Sequence, residues 1–137
     1  MLVKEIMTPK METADPGLTL KEAARKMRDL NIGALPISDN GKLVGMVTDR
    51  DICCRGVADG LDPSTTPLRA VMSRDIACCF SDDTIPDAIH QMEHKHIRRL
   101  AVINRDQTFA GMLSVDDLAK YSRQVAGEVI DQARPGH

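Results

Sequence analysis

The pattern Gly-x-x-Thr/Ser-x-x-Asp occurs twice in this sequence, at 45–51 and at 111–117. Each copy lies where a predicted strand runs into a predicted helix, and the N–H groups that open a helix attract phosphate. The hydroxyl would donate a hydrogen bond to a phosphate oxygen, and the carboxylate would accept hydrogen bonds from two ribose hydroxyls. The glycine would leave room for a ligand to approach the backbone. The two segments therefore predict nucleotide binding.

The hydroxyl and carboxyl side chains of these segments also have a simpler interpretation as helix caps. A hydroxyl residue followed three positions later by an acidic residue opens many helices. One occurrence would favour capping, whereas two occurrences at equivalent places weaken that interpretation without removing it. The side chains concerned are Thr48, Asp51, Ser114 and Asp117.

A second polar group lies just before a predicted strand, where residues 95–99 are Lys-His-Ile-Arg-Arg. Arg98 and Arg99 would bind phosphate through planar, bidentate donors. They could equally form a solvated basic rim that binds nothing. The equivalent positions in the first half of the chain are Gly33 and Ala34, so the side that carries the arginines is predicted to prefer phosphorylated ligands.

Both Gly-x-x-Thr/Ser-x-x-Asp segments belong to a longer internal repeat. Met7 corresponds to Met72, 65 positions later, and after one inserted residue Gly45 corresponds to Gly111, 66 positions later. Each half predicts a strand, a helix, two strands and a helix, in that order. Such a unit leaves one face of its sheet uncovered, and two copies can bury those faces against each other. We therefore predict an α/β (α+β) fold of two tandem repeats, packed sheet to sheet as a pseudo-twofold pair.

Capping and turn signals place the elements within each half. Thr19 and Glu22 form a capping box ahead of an amphipathic helix, and Thr84 with Pro86 starts the equivalent helix. Residues 39–41, Asp-Asn-Gly, predict a tight hairpin. The predicted segments are a first repeat at 1–56, a linker at 57–67, a second repeat at 68–127 and a polar C-terminal tail at 128–137.

Composition argues against several classes of function. A net charge of -2 is unlike that of a nucleic-acid binder, and 2% aromatic residues provide no stacking platform for single strands. The N-terminus has no signal-peptide pattern, and no apolar run reaches the length of a membrane span. We therefore expect a cytoplasmic protein that binds neither nucleic acid nor membrane.

Histidine and cysteine residues offer a rival, metal-based interpretation. His90 and His94 lie four apart on a predicted helix, a spacing that can bind a metal. Zinc sites usually contain separated cysteine pairs, and the sequence has no Cys-x-x-Cys. The adjacent cysteines at 53–54 and 78–79 are interpreted as reduced, buried hydrophobic residues. We expect no metal site, and no catalysis because no arrangement of nucleophile, base and acid is present.

In their order, spacing and duplication, these motifs resemble the CBS domain family, which is named after cystathionine β-synthase. The matching segments are 6–8 (Ile-Met-Thr), 71–73 (Val-Met-Ser), 32–36 (Ile-Gly-Ala-Leu-Pro), 97–101 (Ile-Arg-Arg-Leu-Ala) and the two Gly-x-x-Thr/Ser-x-x-Asp segments. The resemblance extends from Val3 to about Ala126. It is to small prokaryotic stress and signalling proteins that consist of a single CBS pair.

The resemblance implies a sensor of adenine nucleotides that takes part in signal transduction. CBS pairs bind such ligands in the clefts between their repeats, and AMP is the first expectation here, with ATP, ADP, NAD and S-adenosylmethionine as alternatives. The family pattern assigns ribose to the aspartates, with the hydroxyls as their partners, phosphate to the arginines, and the base to the remaining positions. The candidate site residues are Thr13, Ala34, Pro36, Thr48, Asp51, Cys78, Arg98, Arg99, Ser114 and Asp117. Ala101 replaces Pro36 in the second half, so the two clefts are expected to differ.

The resemblance also implies assembly and partners. Family members form homodimers through their helices, and an unidentified protein partner would receive the signal. The alternative function is a dimeric docking module that binds no nucleotide.

Overall fold

The computed structural model describes residues 1–9 and 12–121. The chain forms two compact units, here named by the repeat that supplies most of each. The repeat-1 unit is Glu12–Ile76, and the repeat-2 unit is Met1–Met11 together with Ala77–His137. The N-terminal segment therefore packs with the second half of the sequence. The predicted polar tail at 128–137 lies outside the described residues.

The described elements alternate between strands and helices in the predicted mixed α/β manner. The strands are β1 (Thr8–Pro9), β2 (Ala34–Asp39), β3 (Lys42–Thr48), β4 (Cys78–Phe80), β5 (Arg99–Ile103) and β6 (Phe109–Ser114). The helices are α1 (Leu20–Leu30), α2 (Asp49–Asp51), α3 (Ile85–Lys95) and α4 (Val115–Tyr121). Short 3-10 turns cover Val3–Glu5 and Leu68–Ala70, and π-helical turns at Ile52–Val57 follow α2 directly.

In the repeat-1 unit, an antiparallel hairpin of β2 and β3 packs against α1. The predicted tight turn is confirmed, with Asn40 at φ 54° and Gly41 at φ 81°. Ala14 adds a short parallel bridge to Ile37, so a third extended segment runs beside β2. The buried core residues of this unit are Ala14, Leu20, Ala23, Met27, Leu35, Ile37, Val47, Leu68, Val71 and Met72.

In the repeat-2 unit, the strands follow the order β1-β6-β5-β4, with β4 parallel to β5 and the other pairs antiparallel. This sheet has the same plan as the hairpin of the repeat-1 unit, with longer flanking strands. Its buried core residues are Val3, Cys79, Ile85, Ala88, Met92, Leu100, Val102, Leu113, Val115 and Leu118.

The predicted caps of α1 and α3 are confirmed. The Thr19 hydroxyl accepts a hydrogen bond from the Glu22 backbone N–H at 3.2 Å, and the Glu22 carboxylate accepts one from Thr19. The Thr84 hydroxyl accepts from the Asp87 N–H at 3.3 Å, and Pro86 lies in the first turn of α3. These contacts satisfy backbone donors that have no partner within the helix.

Each unit is closed by the segment that opens the other repeat along the sequence. In the repeat-2 unit, the Val3 N–H donates to the Asp83 carbonyl at 2.8 Å. In the repeat-1 unit, the Leu68 N–H donates to the Leu18 carbonyl at 2.8 Å, in the equivalent position. The repeats predicted along the sequence therefore exchange their opening segments when the chain folds.

The prediction that Gly45 and Gly111 leave room for a ligand is wrong, because the chain itself fills that room. A Cβ on Gly111 would collide with the Thr8 carbonyl oxygen. A Cβ on Gly45 would lie 2.7 Å from the Met72 sulfur and 3.1 Å from the Ser73 carbonyl oxygen. Both glycines therefore allow the exchanged segments, the one around Thr8 and the one around Ser73, to pack closely against the strands.

The cysteines are less buried than predicted. Cys53 and Cys54 are exposed, because they lie on the π-helical turns at the surface of the repeat-1 unit. Cys78 is half-buried, and Cys79 is buried on the inner face of β4. Only Cys79 fits the prediction of a buried hydrophobic residue. Within the described ranges, no helix is long and apolar enough to cross a membrane.

Candidate functional site

The junction between β3 and α2 brings three candidate residues of the repeat-1 unit together. Ala34 pairs with Thr48 across the hairpin, and the Asp49 N–H donates to the Gly33 carbonyl at 3.0 Å. The Thr48 hydroxyl accepts from the Asp51 N–H at 3.1 Å, and the Asp51 carboxylate accepts from the Thr48 N–H at 2.9 Å. The start of β2, the hydroxyl and the carboxylate therefore form one small polar surface.

The same arrangement recurs at the junction between β6 and α4. Arg99 pairs with Ser114, and the Val115 N–H donates to the Arg98 carbonyl at 2.9 Å. The Ser114 hydroxyl accepts from the Asp117 N–H at 3.2 Å, and the Asp117 carboxylate accepts from the Ser114 N–H at 2.9 Å. Both hydroxyl–carboxylate pairs thus have the cap geometry, and their oxygens define the edge of a candidate site.

The repeat-2 unit has a cleft of about 230 Å³ that the two arginines line. Arg98 and Arg99 line it together with Ser114, Val115 and Asp116. Both arginine side chains are exposed, and neither takes part in the ion pairs formed among the described residues. The cleft is smaller than the roughly 300–1,000 Å³ of drug-sized ligand pockets, so the part of a nucleotide that it can hold is a phosphate group.

The candidate base-lining residues of the repeat-1 unit lie along one face of β2. Ala34, Pro36 and Ser38 alternate along the strand and so share a face. The Ser38 hydroxyl donates to the Thr13 hydroxyl at 3.1 Å, which places Thr13 at the far end of that face. Pro36 is buried, and its carbonyl accepts a hydrogen bond from the Ala14 N–H at 2.9 Å. It offers less surface to a ligand than Ala34 does.

Cys78 occupies the corresponding face of the repeat-2 unit. It pairs with Ala101, which lies two residues after Arg99 and therefore shares its face of β5. Burial raises the pKa of the Cys78 thiol, and the nearby Lys95 ammonium partly offsets that rise. At neutral pH this residue is a neutral thiol, suited to contact with an uncharged base.

The two aspartates have different environments. Asp117 is only 7% exposed, and its second carboxylate oxygen accepts a hydrogen bond from the Thr8 hydroxyl at 3.1 Å. Asp51 is half-exposed, and its contacts within the described ranges are those with Thr48. Sequence reasoning missed the contact of Thr8, although the repeated Met-Thr/Ser dipeptide at Thr8 and Ser73 was the signal that could have found it.

The histidine pair is adjacent in space, as its spacing predicts. The rings of His90 and His94 stack with their centroids 6.4 Å apart and an angle of 16° between their planes. In the part of the chain that the structure describes, no group of three or more His, Cys, Asp or Glu side chains is placed to hold a metal ion. Among residues 1–9 and 12–121, no third side chain of these types joins the two rings to form a metal site.

Comparison with known sequences identifies both repeats. The family model described as CBS domain matches residues 3–55 and again 68–124. The CBS domain-containing protein YhcV of Bacillus subtilis is 36% identical over 130 residues, covering 93% of this chain and 91% of that protein. Hypoxic response protein 1 of Mycobacterium tuberculosis is 34% identical over 119 residues, covering 86% of this chain and 82% of that protein.

Comparison with solved structures gives the same answer. The crystal structure of Hypoxic Response Protein I with two coordinated zinc ions matches with a TM-score of 0.78 and 34% identity, covering 88% of this chain and 98% of that chain. The CBS domain pair of protein MJ0100, in complex with 5′-methylthioadenosine and S-adenosyl-L-methionine, matches with a TM-score of 0.72 and 26% identity. The match covers 88% of this chain and 98% of that chain. The predicted tandem α/β fold is thus confirmed, and the protein belongs to the CBS domain family.

Proposed function

We propose that this protein is a non-catalytic, cytoplasmic regulatory module that binds an adenosyl ligand at its strand–helix junctions. The observation that carries the proposal is the half-exposed Asp51 carboxylate beside Thr48 and the small residue Ala34. A CBS pair with 26% identity to this chain was solved with two adenosyl ligands, which supports the same ligand class here.

The chemistry of the junction suits a nucleoside. A carboxylate accepts hydrogen bonds from both hydroxyls of a ribose, and a charge-assisted hydrogen bond is about twice as strong as a neutral one. Asp51 would hold the ribose, Ala34 would leave space beside it, and Thr48 would offer its hydroxyl. Thr13 and Pro36 would line the base on the same side.

In the repeat-2 unit the same roles fall to other residues. Cys78 would contact the base, Ser114 and Asp117 would face the sugar, and Arg98 and Arg99 would hold a phosphate at the cleft they line. The favoured ligand of this unit is AMP, with ATP, ADP, NAD and S-adenosylmethionine as alternatives.

Regulation requires that the ligand favours one state of the protein over another, because only differential affinity shifts an equilibrium. A groove of about 540 Å³ along α1 and the π-helical turns supports a homodimer as the responding assembly. Met27, Ile52 and Val57 contribute apolar surface to it, and Val57 is 64% exposed. The same groove favours the second candidate function, a dimeric docking module without a ligand.

The first test is calorimetric titration with AMP, ATP, NAD, S-adenosylmethionine and 5′-methylthioadenosine. We expect one or more of them to bind and to raise the melting temperature, since a ligand at 100 times its Kd adds about 2.7 kcal/mol of stability. Asp51→Asn keeps the shape of the cap and removes the charge, so adenosyl binding to the repeat-1 unit should weaken by about tenfold or more.

Asp59→Asn is the matched control, because Asp59 is an exposed aspartate of the same unit and its replacement should leave affinity unchanged. If none of the five ligands binds the wild type, the adenosyl proposal fails. Sedimentation of the same sample as a dimer, disrupted by Val57→Lys, would then support the docking module.

A further inference from the structure

We propose that the two repeats select different ligands. The repeat-1 unit takes an adenosyl compound by its ribose and needs no phosphate, whereas the repeat-2 unit requires a phosphate on its ligand. This inference rests on the proposed function, and it goes further by assigning a separate ligand class to each repeat.

The first argument is the charge at the start of the second strand in each repeat. In the repeat-2 unit, Arg98 and Arg99 line the same cleft as Ser114. Their guanidinium groups match the geometry of a phosphate and remain charged at any working pH. A phosphate bound there would have two cationic donors within one small cleft, against the single carboxylate of Asp116 that also lines it.

The repeat-1 unit places a carboxylate at the corresponding point. Gly33 stands where the second repeat has Arg98, and a Cβ built on Gly33 would lie 3.3 Å from a carboxylate oxygen of Asp49. Asp49 itself corresponds to the uncharged Val115. Arg28 lines the groove beside Gly33 and Asp49 but is paired with Asp29, and Arg50 follows Asp49. This end of the unit therefore carries no net positive charge to attract a phosphate dianion.

The second argument is the state of the two aspartates. Asp117 is 93% buried, and hydrogen bonds from Ser114 and Thr8 already engage both of its carboxylate oxygens. Asp51 is half-exposed, and within the described ranges its hydrogen bonds come from Thr48 alone. The repeat-1 unit is therefore the better ribose site, and the repeat-2 unit depends more on its arginines.

The experiment uses two probes that share adenosine and differ at the 5′ position. 5′-Methylthioadenosine is uncharged, and AMP is a dianion at neutral pH. We expect each to bind the wild-type protein at one site per chain, 5′-methylthioadenosine in the repeat-1 unit and AMP in the repeat-2 unit, because the Asp49 carboxylate beside Gly33 disfavours a phosphate dianion in the repeat-1 unit. Because the sites are separate, saturation with 5′-methylthioadenosine should leave the AMP titration almost unchanged.

The variants separate the two sites. Arg98→Gln with Arg99→Gln should weaken AMP binding by about tenfold to a hundredfold and leave 5′-methylthioadenosine binding within about twofold. Asp51→Asn should do the reverse. Arg25→Gln with Arg69→Gln removes the same charge from exposed positions of the repeat-1 unit and should change neither affinity, and circular dichroism will confirm that each variant is folded.

The outcomes distinguish the two proposals. Competition between the probes for one site, or equal loss of both affinities in the double arginine variant, would overturn the division of ligands and leave the adenosyl module intact. Failure of the wild type to bind either probe, or any of the other three ligands, would instead refute the proposed function itself. Independent saturation of two sites with opposite sensitivity to the variants would establish the division.

Discussion

The two compact units share a backbone plan and differ in what their side chains do with it. In each, the segment that opens the other repeat lies along the last strand, at Thr8 in the repeat-2 unit and at Ser73 in the repeat-1 unit. At equivalent positions, the repeat-2 unit has Arg98 and a buried Asp117, whereas the repeat-1 unit has Gly33 and a half-exposed Asp51. Backbone hydrogen bonds thus preserve the repeat, while the side chains at the two junctions differ in charge and burial.

The largest expected effect is a difference in the free energy of unfolding between alanine variants of Gly111 and Gly45, the glycines that contact the exchanged segments. Gly111→Ala should lower the free energy of unfolding by about 3 kcal/mol, because the new Cβ meets the Thr8 carbonyl and the strand must shift. Gly45→Ala should cost about 1 kcal/mol, because the nearest atom is the sulfur of the flexible Met72 side chain. Urea denaturation of both variants measures the difference, and equal costs would show that the two segments are held alike.

The second effect depends on pH and concerns Cys79, whose counterpart in the repeat-1 unit is Ala14. Burial raises the pKa of the Cys79 thiol to about 12 from its ordinary value of 9.0, and the neighbouring Asp83 adds to the rise. The unfolded chain ionises this thiol above pH 9 while the folded chain keeps it neutral. Stability from this group is therefore complete below pH 9 and is lost toward pH 12, by about 1.4 kcal/mol per pH unit.

Urea denaturation between pH 8 and pH 10.5 tests the effect of Cys79. Cys79→Ala gives the repeat-2 unit the residue of the repeat-1 unit, so its stability should fall less steeply with pH than that of the wild type. Cys54→Ala is the control, since Cys54 is exposed and its replacement should leave the slope unchanged. Parallel slopes for wild type and Cys79→Ala would contradict the assigned pKa.

The smallest effect compares the hydroxyls of the two exchanged segments. Thr8→Val removes the hydrogen bond to Asp117 and should lower the free energy of unfolding by about 1 kcal/mol. Ser73→Ala removes the hydroxyl at the equivalent position, which makes no side-chain hydrogen bond to Asp51 among the described residues, and should cost less than about 0.3 kcal/mol. Thermal melts of both variants give the comparison. Equal losses would mean that the aspartates are not held differently.

Much of the fold was predictable because its signals are local. The capping residue Thr19, the turn residues at 39–41 and the apolar spacing of α1 each act within one helical turn or one hairpin. The duplication then predicts that Thr48 with Asp51, and Ser114 with Asp117, lie at matching junctions. A spacing of three residues fixes each such pair within the same turn.

What the sequence alone determined is the repeat, the order of its elements, the residues at each junction and the family. The tertiary structure alone decided which segment closes which unit, why Gly45 and Gly111 must be glycine, and that Thr8 reaches Asp117, 109 positions away. Local signals cannot encode these features, because they depend on atoms far apart in sequence meeting after the chain has packed. Burial has the same origin, which is why the adjacent cysteine pairs at 53–54 and 78–79 differ in exposure.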